Sequence, residues 1–294
     1  MNLNALRIFA AVARHEGFTA AARAIHVSQP AVSKAVRDLE RRAGMPLVER
    51  GGRGLRLTEA GAVLYDHARR IFALELAAEG ELRARRGVEA GTLCVGASTT
   101  IATYLLPRLL ADFARAHPAV ELKVESLNTR DVARRLAAYE LDVALVEGPV
   151  REESIDALPW RDDELVVVAP AGHALLSRGD VDVHDLAAER MLVREPGSGT
   201  REVAEAALSE HGVELTRTLE MGSTEAIKRS VAAGLGLAIL SRATLDDALA
   251  AGALGTVEVR GLRIPRALHE LVVRNRPESP AAAAFRALLR ASPT

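Results

Sequence analysis

From Thr92 onward the chain alternates short apolar runs with amphipathic helical stretches, and this alternation leaves few folds open. The runs fall at 93–96, 120–126, 141–147, 164–170, 191–193, 215–220, 236–240, 257–260 and 268–274. Strands that take turns with helices build a mostly parallel sheet covered on both faces, because each crossover packs back over the sheet. The stretches 161–170 and 261–268 are natural crossing points between two lobes, with 91–163 and 265–294 in lobe I and 164–264 in lobe II. A chain of 294 residues suits about two domains, so the first 90 residues should fold separately.

In that first part Leu3, Leu6, Phe9 and Val12 recur at helical spacing until Gly17 stops the pattern. A second short helix fits 19–25, with the Thr19 hydroxyl as its cap. Ser28 can cap a third helix over 29–43, where Pro30 is tolerated in the first turn because its missing N–H has no helical partner there. One face of this helix carries Val32, Val36 and Leu39 for packing, and the other carries Gln29, Ser33 and Arg37 beside Lys34. The stretch 49–57 alternates around a Gly-rich middle and reads as a small hairpin, a wing bearing Arg50, Arg53 and Arg56. From Thr58 a long helix runs to about residue 86 with Leu64, Ile71, Leu74, Ala78 and Leu82 along one side, a seam suited to pairing with another helix. These signals divide the chain into a helix-turn-helix domain at 1–58, a linker and dimerisation helix at 59–90, and an α/β domain at 91–294.

Charge is distributed unevenly between these parts. The first 60 residues hold ten Lys/Arg against five acids, about +5, which leaves about −6 for the rest of a chain whose total is −1. The basic end is where a polyanion would bind. The one cysteine, Cys94, excludes an intrachain disulfide and fits a packing role on an apolar strand, and the eight histidines show no metal-ligand spacing. No metal or cofactor is expected. With neither a signal-peptide pattern at the start nor a long uncharged apolar run, the expectation is a cytoplasmic protein that does not enter a membrane. Enzyme motifs are missing too: Gly197-Ser198-Gly199 is not a nucleophile elbow, and Gly234-Leu235-Gly236 lacks the third glycine of a dinucleotide fingerprint.

A helix that reads the major groove needs side chains that both donate to and accept from base edges, with cations for the flanking phosphates. Gln29, Ser33, Lys34 and Arg37 supply that mixture, with the wing arginines placed for the backbone or the neighbouring minor groove. Spacing alone fits a solvated basic helix face as well. The residues around this face, however, follow a known pattern: Leu3–Phe9, Gly17-Phe18-Thr19-Ala20-Ala21-Ala22, Val27-Ser28-Gln29-Pro30-Ala31-Val32-Ser33, Gly44-Met45-Pro46-Leu47 and Leu57-Thr58-Glu59-Ala60-Gly61. Over essentially its whole length the chain resembles the LysR-type transcriptional regulators. Thr19, Lys34 and Val48 depart from the family's commoner Ser, Arg and Phe, and an ammonium at position 34 gives a point charge where Arg would give a planar fork. The resemblance implies double-stranded promoter DNA as partner, contacts from Thr19, Ser28, Gln29, Pro30, Ser33, Lys34, Arg37, Arg50, Arg53 and Arg56, a homodimer or dimer of dimers, and communication with RNA polymerase.

In the α/β part, Ser/Thr-bearing turns precede three helices: Ser98-Thr99-Thr100, Gly197-Ser198-Gly199-Thr200 and Gly222-Ser223-Thr224, with Asn128-Thr129 as a fourth. Helix N-termini favour anions, although plain capping accounts for any one such turn. Family resemblance adds that this domain is similar to the type 2 periplasmic binding proteins, and the runs 194–201 and 222–228 look like the branch of sulfur-assimilation and carbon-dioxide-fixation regulators. It implies a small-molecule effector, anionic by the turn chemistry, touching Ser98, Thr99, Thr100, Asn128, Ser198, Thr200 and Ser223. A solute-binding transport protein is the rival that the α/β domain alone would suit, and the basic N-terminal domain argues against it.

Overall fold

The computed structural model describes residues 2–51, 54–85 and 91–291. The chain divides into two compact units, Met1–Leu82 and Arg83–Thr294.

In the first unit, α1 (Leu3–Arg14), α2 (Phe18–Ala24) and α3 (Gln29–Ala43) surround Leu6, Phe9, Val12, Ala21, Val32, Val36 and Leu39, all of them buried. Asn2 starts α1 by accepting a hydrogen bond from the Asn4 N–H at 2.8 Å. Helix α2 begins one residue earlier than the sequence predicts. Gly17 is its cap residue, and Thr19 lies exposed in the first turn rather than capping it. The earlier start places Phe18 against the core, and glycine is an acceptable cap in its own right. Helix α3 matches expectation: the Ser28 hydroxyl accepts from the Ala31 N–H, Pro30 sits in the first turn, and Gly44 ends the helix at φ 72°.

A hairpin of β1 (Val48–Gly51) and β2 (Gly54–Leu57) follows, tied to α3 through Glu40, whose carboxyl group accepts from the N–H groups of Leu47 and Val48. The long helix α4 (Glu59–Arg85) starts on Thr58, whose hydroxyl accepts from the Gly61 N–H and donates to the Pro46 carbonyl. Gly61 permits this seating, since a Cβ there would lie 1.9 Å from the Leu47 carbonyl oxygen. The expected C-terminal end of this helix at residue 86 falls outside the described residues. Leu64, Tyr65, Ala68 and Phe72 of α4 close the core of this unit, whereas Ile71, Leu74 and Leu82 of the predicted seam stay exposed.

The second unit runs through β3 (Gly91–Ser98), a π-helical turn at Ile101–Leu105, α5 (Leu106–Ala116), β4 (Val120–Leu127), α6 (Thr129–Ala137), β5 (Val143–Glu147) and the long β6 (Ile155–Pro170). Then come α7 (Asp185–Ala188), β7 (Met191–Val193), α8 (Gly199–Glu210), β8 (Thr218–Glu220), α9 (Thr224–Ala232), β9 (Leu237–Ser241), α10 (Asp246–Ala250), β10 (Leu254–Val257), β11 (Ile264–Val273) and α11 (Pro280–Ala291). They form one sheet in the order β4-β3-β5-β11-β6-β9-β7-β8, with β10 on β6.

The expected mostly parallel sheet needs correction. Strands β3, β4 and β5 are parallel to one another, as are β7, β8 and β9, but the centre is antiparallel: β6 pairs with β9, β10 and β11, and β11 with β5. Strand β6 starts at Ile155, well before the predicted 164, and β11 starts at Ile264. In the first half of β6 the apolar residues are interrupted by Asp156, Pro159, Arg161 and Asp162 and half of the positions are exposed, so a search for apolar runs passes over it. The strand predicted at 257–260 also differs, ending at Val257 and leaving Val259 in a lone bridge to Val181.

Two lobes result, joined by β6 and β11. In one, Leu93, Val95, Phe113, Leu145 and Phe285 form the core under α5 and α11, with the Phe113 and Phe285 rings edge to face at 5.3 Å. Val132, Leu136, Val146 and Leu271 pack under α6 on the other face of the same strands. The second lobe repeats the plan, with Leu165, Met191, Leu208 and Ile239 on the α8 face and Leu192, Ile227, Val231 and Leu240 on the α9 face.

Candidate functional site

On the first unit, the face of α3 that does not enter the core presents the predicted polar residues. The Gln29 amide donates to the Ser33 hydroxyl at 2.8 Å, and the Arg37 guanidinium donates to the Ser33 carbonyl at 3.2 Å. One helical turn thus holds an amide, a hydroxyl and a guanidinium in a row, with Lys34 exposed beside them. Ser28 and Pro30 are exposed at the start of the same helix. On the hairpin, Arg56 is exposed on β2 opposite Glu49, and Arg50 pairs with Leu55 through the backbone. The side chain of Arg50, and Arg53 altogether, lie outside the described residues.

In the second unit the carboxyl ends of parallel strands converge, and such ends are where open α/β sheets bind ligands. Strand β3 ends on Ser98, β5 on Glu147, β9 on Ser241, and Arg194 follows β7. Glu147 is the buried centre of a network that crosses between the lobes. Its carboxyl group accepts from the Ser98 hydroxyl in its own lobe and from the Thr200 hydroxyl of α8 in the other, at 3.2 Å. Its carbonyl accepts from the Thr129 hydroxyl at 2.8 Å. Thr200 in turn accepts from Arg266 at 2.9 Å, so its single hydroxyl is used in both senses. Arg266 completes the chain to Asp163 at 2.7 Å, which Ser241 also contacts, and the Nη2 atom of Arg266 is buried with no partner.

A second crossing centres on Arg194, also buried. Its guanidinium donates to Thr99 of the opposite lobe at 3.2 Å, to Thr224 at 3.0 Å, and through Nε and Nη2 to the two carboxyl oxygens of Glu195 at 2.7 and 2.8 Å. Burial alone would raise the Glu195 carboxyl, but the Arg194 guanidinium, its own backbone N–H and the Asn128 amide together hold it below the ordinary carboxylate range. Asn128 also caps α6, accepting from the Asp131 N–H at 2.9 Å. Nearby, Lys228 of α9 donates to the Tyr104 hydroxyl across the lobes and to Glu225, both at 2.9 Å. Backbone meets backbone where Gly148 faces Gly199: a Cβ on Gly199 would lie 1.9 Å from the Glu147 carbonyl oxygen.

Of the predicted effector contacts, Ser98, Thr99, Asn128 and Thr200 are therefore brought together on this seam. Ser198 and Thr100 are buried at its helix starts, and the Ser223 hydroxyl caps α9 while its neighbour Thr224 makes the contact to Arg194. Glu147, Arg194, Lys228 and Arg266 are not singled out by sequence pattern. The signal available for two of them is a charged residue where strand alternation or an apolar run demands a buried one: Glu147 ends the fully buried strand VALVE, and Arg266 points inward on β11.

Comparison with known proteins settles the affiliation of both units. Residues 3–62 match the model for the bacterial regulatory helix-turn-helix protein, lysR family, and residues 86–293 match that for the LysR substrate binding domain. The chain belongs to the LysR family of transcriptional regulators. A RuBisCO operon transcriptional regulator of Allochromatium vinosum is 36% identical over 286 residues, covering 97% of this chain and 94% of the relative. Among solved structures, a full-length OxyR variant of Pseudomonas aeruginosa superimposes with a TM-score of 0.77 at 27% identity, over 99% of this chain and 95% of that one. The regulatory domain of Synechocystis CcmR, described in complex with 2-PG, gives a TM-score of 0.64 at 31% identity over 68% of this chain and 96% of that one. This LysR-family chain accordingly combines a DNA-binding helix-turn-helix with an effector domain that resembles the ligand-binding periplasmic folds, and its family and fold are those of regulators rather than enzymes. Among the described residues no helix is long and apolar enough to cross a membrane.

Proposed function

We propose that this regulator reads a specific promoter sequence with α3 and that a small anionic metabolite, bound on the seam between the lobes, modulates its DNA binding or its activation of transcription. One observation carries the effector half: Arg194, buried in one lobe, already reaches Thr99 in the other, so an anion held by Arg194 acts on both lobes at once. Ser98, Thr99, Thr100, Asn128, Ser198, Thr200 and Ser223 supply hydroxyl, amide and helix-start contacts around it. The likeness to a regulatory domain described with 2-PG supports a small-molecule ligand, and the likeness to a RuBisCO operon regulator supports target genes in carbon fixation.

On DNA, Gln29, Ser33, Lys34 and Arg37 face base edges, with Thr19, Ser28 and Pro30 at the groove entrance and Arg50, Arg53 and Arg56 on the backbone or minor groove. The working units are 1–58 for DNA, 59–90 for pairing and 91–294 for sensing, with the lobes divided at 163/164 and 264/265. Pairing through the exposed apolar stripe of α4 gives a homodimer, and two dimers a tetramer that contacts RNA polymerase in the cytoplasm. A ligand that favours one lobe arrangement shifts the population of dimer spacings, and with it the bend of the DNA.

Gel shift on promoter fragments flanking the protein's own gene, over a salt series and with a metabolite panel, tests the whole reading. The expected result is a salt-sensitive complex that prefers one site and changes mobility or affinity with an anionic metabolite. Absence of salt-sensitive binding at every operator-like sequence defeats it.

A further inference from the structure

The seam carries its own counter-ions. Arg194 is paired with Glu195, Lys228 with Glu225, and Arg266 with Asp163 and Glu147. An anion entering beside Arg194 or Lys228 therefore meets a cation that is already engaged and must displace a carboxylate to gain it, whereas Arg266 keeps one unpartnered atom, the deeply buried Nη2. The four carboxylates differ in their ability to leave. Those of Glu147 and Asp163 are 2% and 6% exposed and have no route to water without opening the core, whereas Glu195 is 22% and Glu225 45% exposed. Glu225 pairs with Lys228 one turn away on the same helix and links nothing else across the seam by its carboxylate. Glu195 is different: it binds with both oxygens the guanidinium of Arg194, the group that also reaches Thr99 in the other lobe.

Resting on the reading of this seam as the effector site, we propose that Glu195 is a specificity-determining residue, a tethered anion that holds Arg194 until a ligand carrying a phosphoryl group displaces it. A free monocarboxylate would only repeat the contacts Glu195 already makes, and a tethered group competes at an effective concentration in the millimolar range. A phosphoryl group carries about −1.5 to −2 charge at neutral pH and three acceptor oxygens, enough to engage the Arg194 guanidinium, Thr99, Thr224 and Asn128 together. Displacement also places the ligand on Arg194, the guanidinium that reaches Thr99 in the other lobe. The same exchange that sets specificity thus ties occupancy to the lobe arrangement.

Titration calorimetry of the full chain with inorganic phosphate and with acetate, at constant ionic strength, tests this in wild type, Glu195→Gln and Arg194→Ala. Glutamine keeps the shape and removes the charge. Wild type is expected to prefer phosphate to acetate, Glu195→Gln to gain acetate affinity by about tenfold or more and so to narrow that preference, and Arg194→Ala to lose both anions. An unchanged preference in Glu195→Gln, with binding intact and abolished by Arg194→Ala, overturns the role of Glu195 and leaves the effector site standing. No binding of either anion to wild type or Glu195→Gln overturns both. Circular dichroism of each variant confirms the fold, and Glu195→Ala, which removes the tether by truncation, must show the same gain in acetate affinity.

Discussion

Gln29 and Arg56 sit within the same small domain, and on the proposed reading Gln29 meets a base edge and Arg56 a phosphate, so they should fail differently when truncated. An amide that donates and accepts at a base edge contributes discrimination, so Gln29→Ala is expected to bind operator and random DNA with nearly equal affinity. A cation placed on a phosphate acts whatever the sequence. Arg56→Ala should therefore weaken binding to both DNAs alike and lower the slope of log affinity against log salt by about 1. Fluorescence anisotropy over a salt series reads both. Buried groups of the seam are governed by a different balance. Removing the Glu147 carboxyl strands the Ser98 and Thr200 hydroxyls and takes a counter-charge from Arg266, so Glu147→Ala should destabilise the α/β domain by about 3–5 kcal/mol. Trp160, the single tryptophan and a β6 residue, reports that loss in denaturant unfolding. The exposed face of α3 was legible in the sequence because it is local: Gln29, Ser33 and Arg37 lie within two turns of one helix. Glu147 and Arg266 were not, because the partners of their side chains lie 49 or more residues away, beyond any local window of sequence.

At the scale of single elements, the close seating of α4 on the segment before the wing depends on a missing side chain. A Cβ at position 61 overlaps the Leu47 carbonyl, so Gly61→Ala should cost at least about 1–3 kcal/mol and loosen the hairpin that bears Arg56. A lowered melting temperature together with weakened DNA binding is the expected outcome. Strand β11 carries a pH-sensitive group. Burial pushes the His269 imidazole below the ordinary histidine value of 6.5, and its Nδ1 is buried without a partner. The unfolded chain then binds the proton more readily than the folded one, so stability from this residue is full above pH 6.5 and is lost as pH falls toward the depressed folded value. His269→Gln should flatten that part of the stability profile, again followed through Trp160. Helix starts were legible at Ser28, Asn128 and Ser223, each a short polar residue before an apolar periodicity. The first half of β6 was not, because its pairing with β11 rests on backbone register and its apolar side chains are broken up by Asp156, Pro159 and Arg161.

For the whole molecule, the separation of charge, about +5 in the first 60 residues and −6 beyond them, lets one chain attract DNA at one end without coating it with the other. Of the seam expected from the sequence, Ile71, Leu74 and Leu82 leave an apolar stripe exposed on α4, whereas Leu64 packs into the core of the first unit. If that stripe pairs two copies, Leu74→Glu should halve the mass seen in light scattering and weaken operator binding far more than binding to a single half-site. An unchanged mass removes α4 as the pairing element. The contact of Gly148 with Gly199 bears on how such a sensor could be adapted. Because the two lobes meet there through bare main chain, that close approach does not itself depend on the hydroxyl and amide side chains around the seam. A biosensor for a different metabolite could thus be sought by randomising positions 99, 128, 195 and 224 while leaving the two glycines untouched.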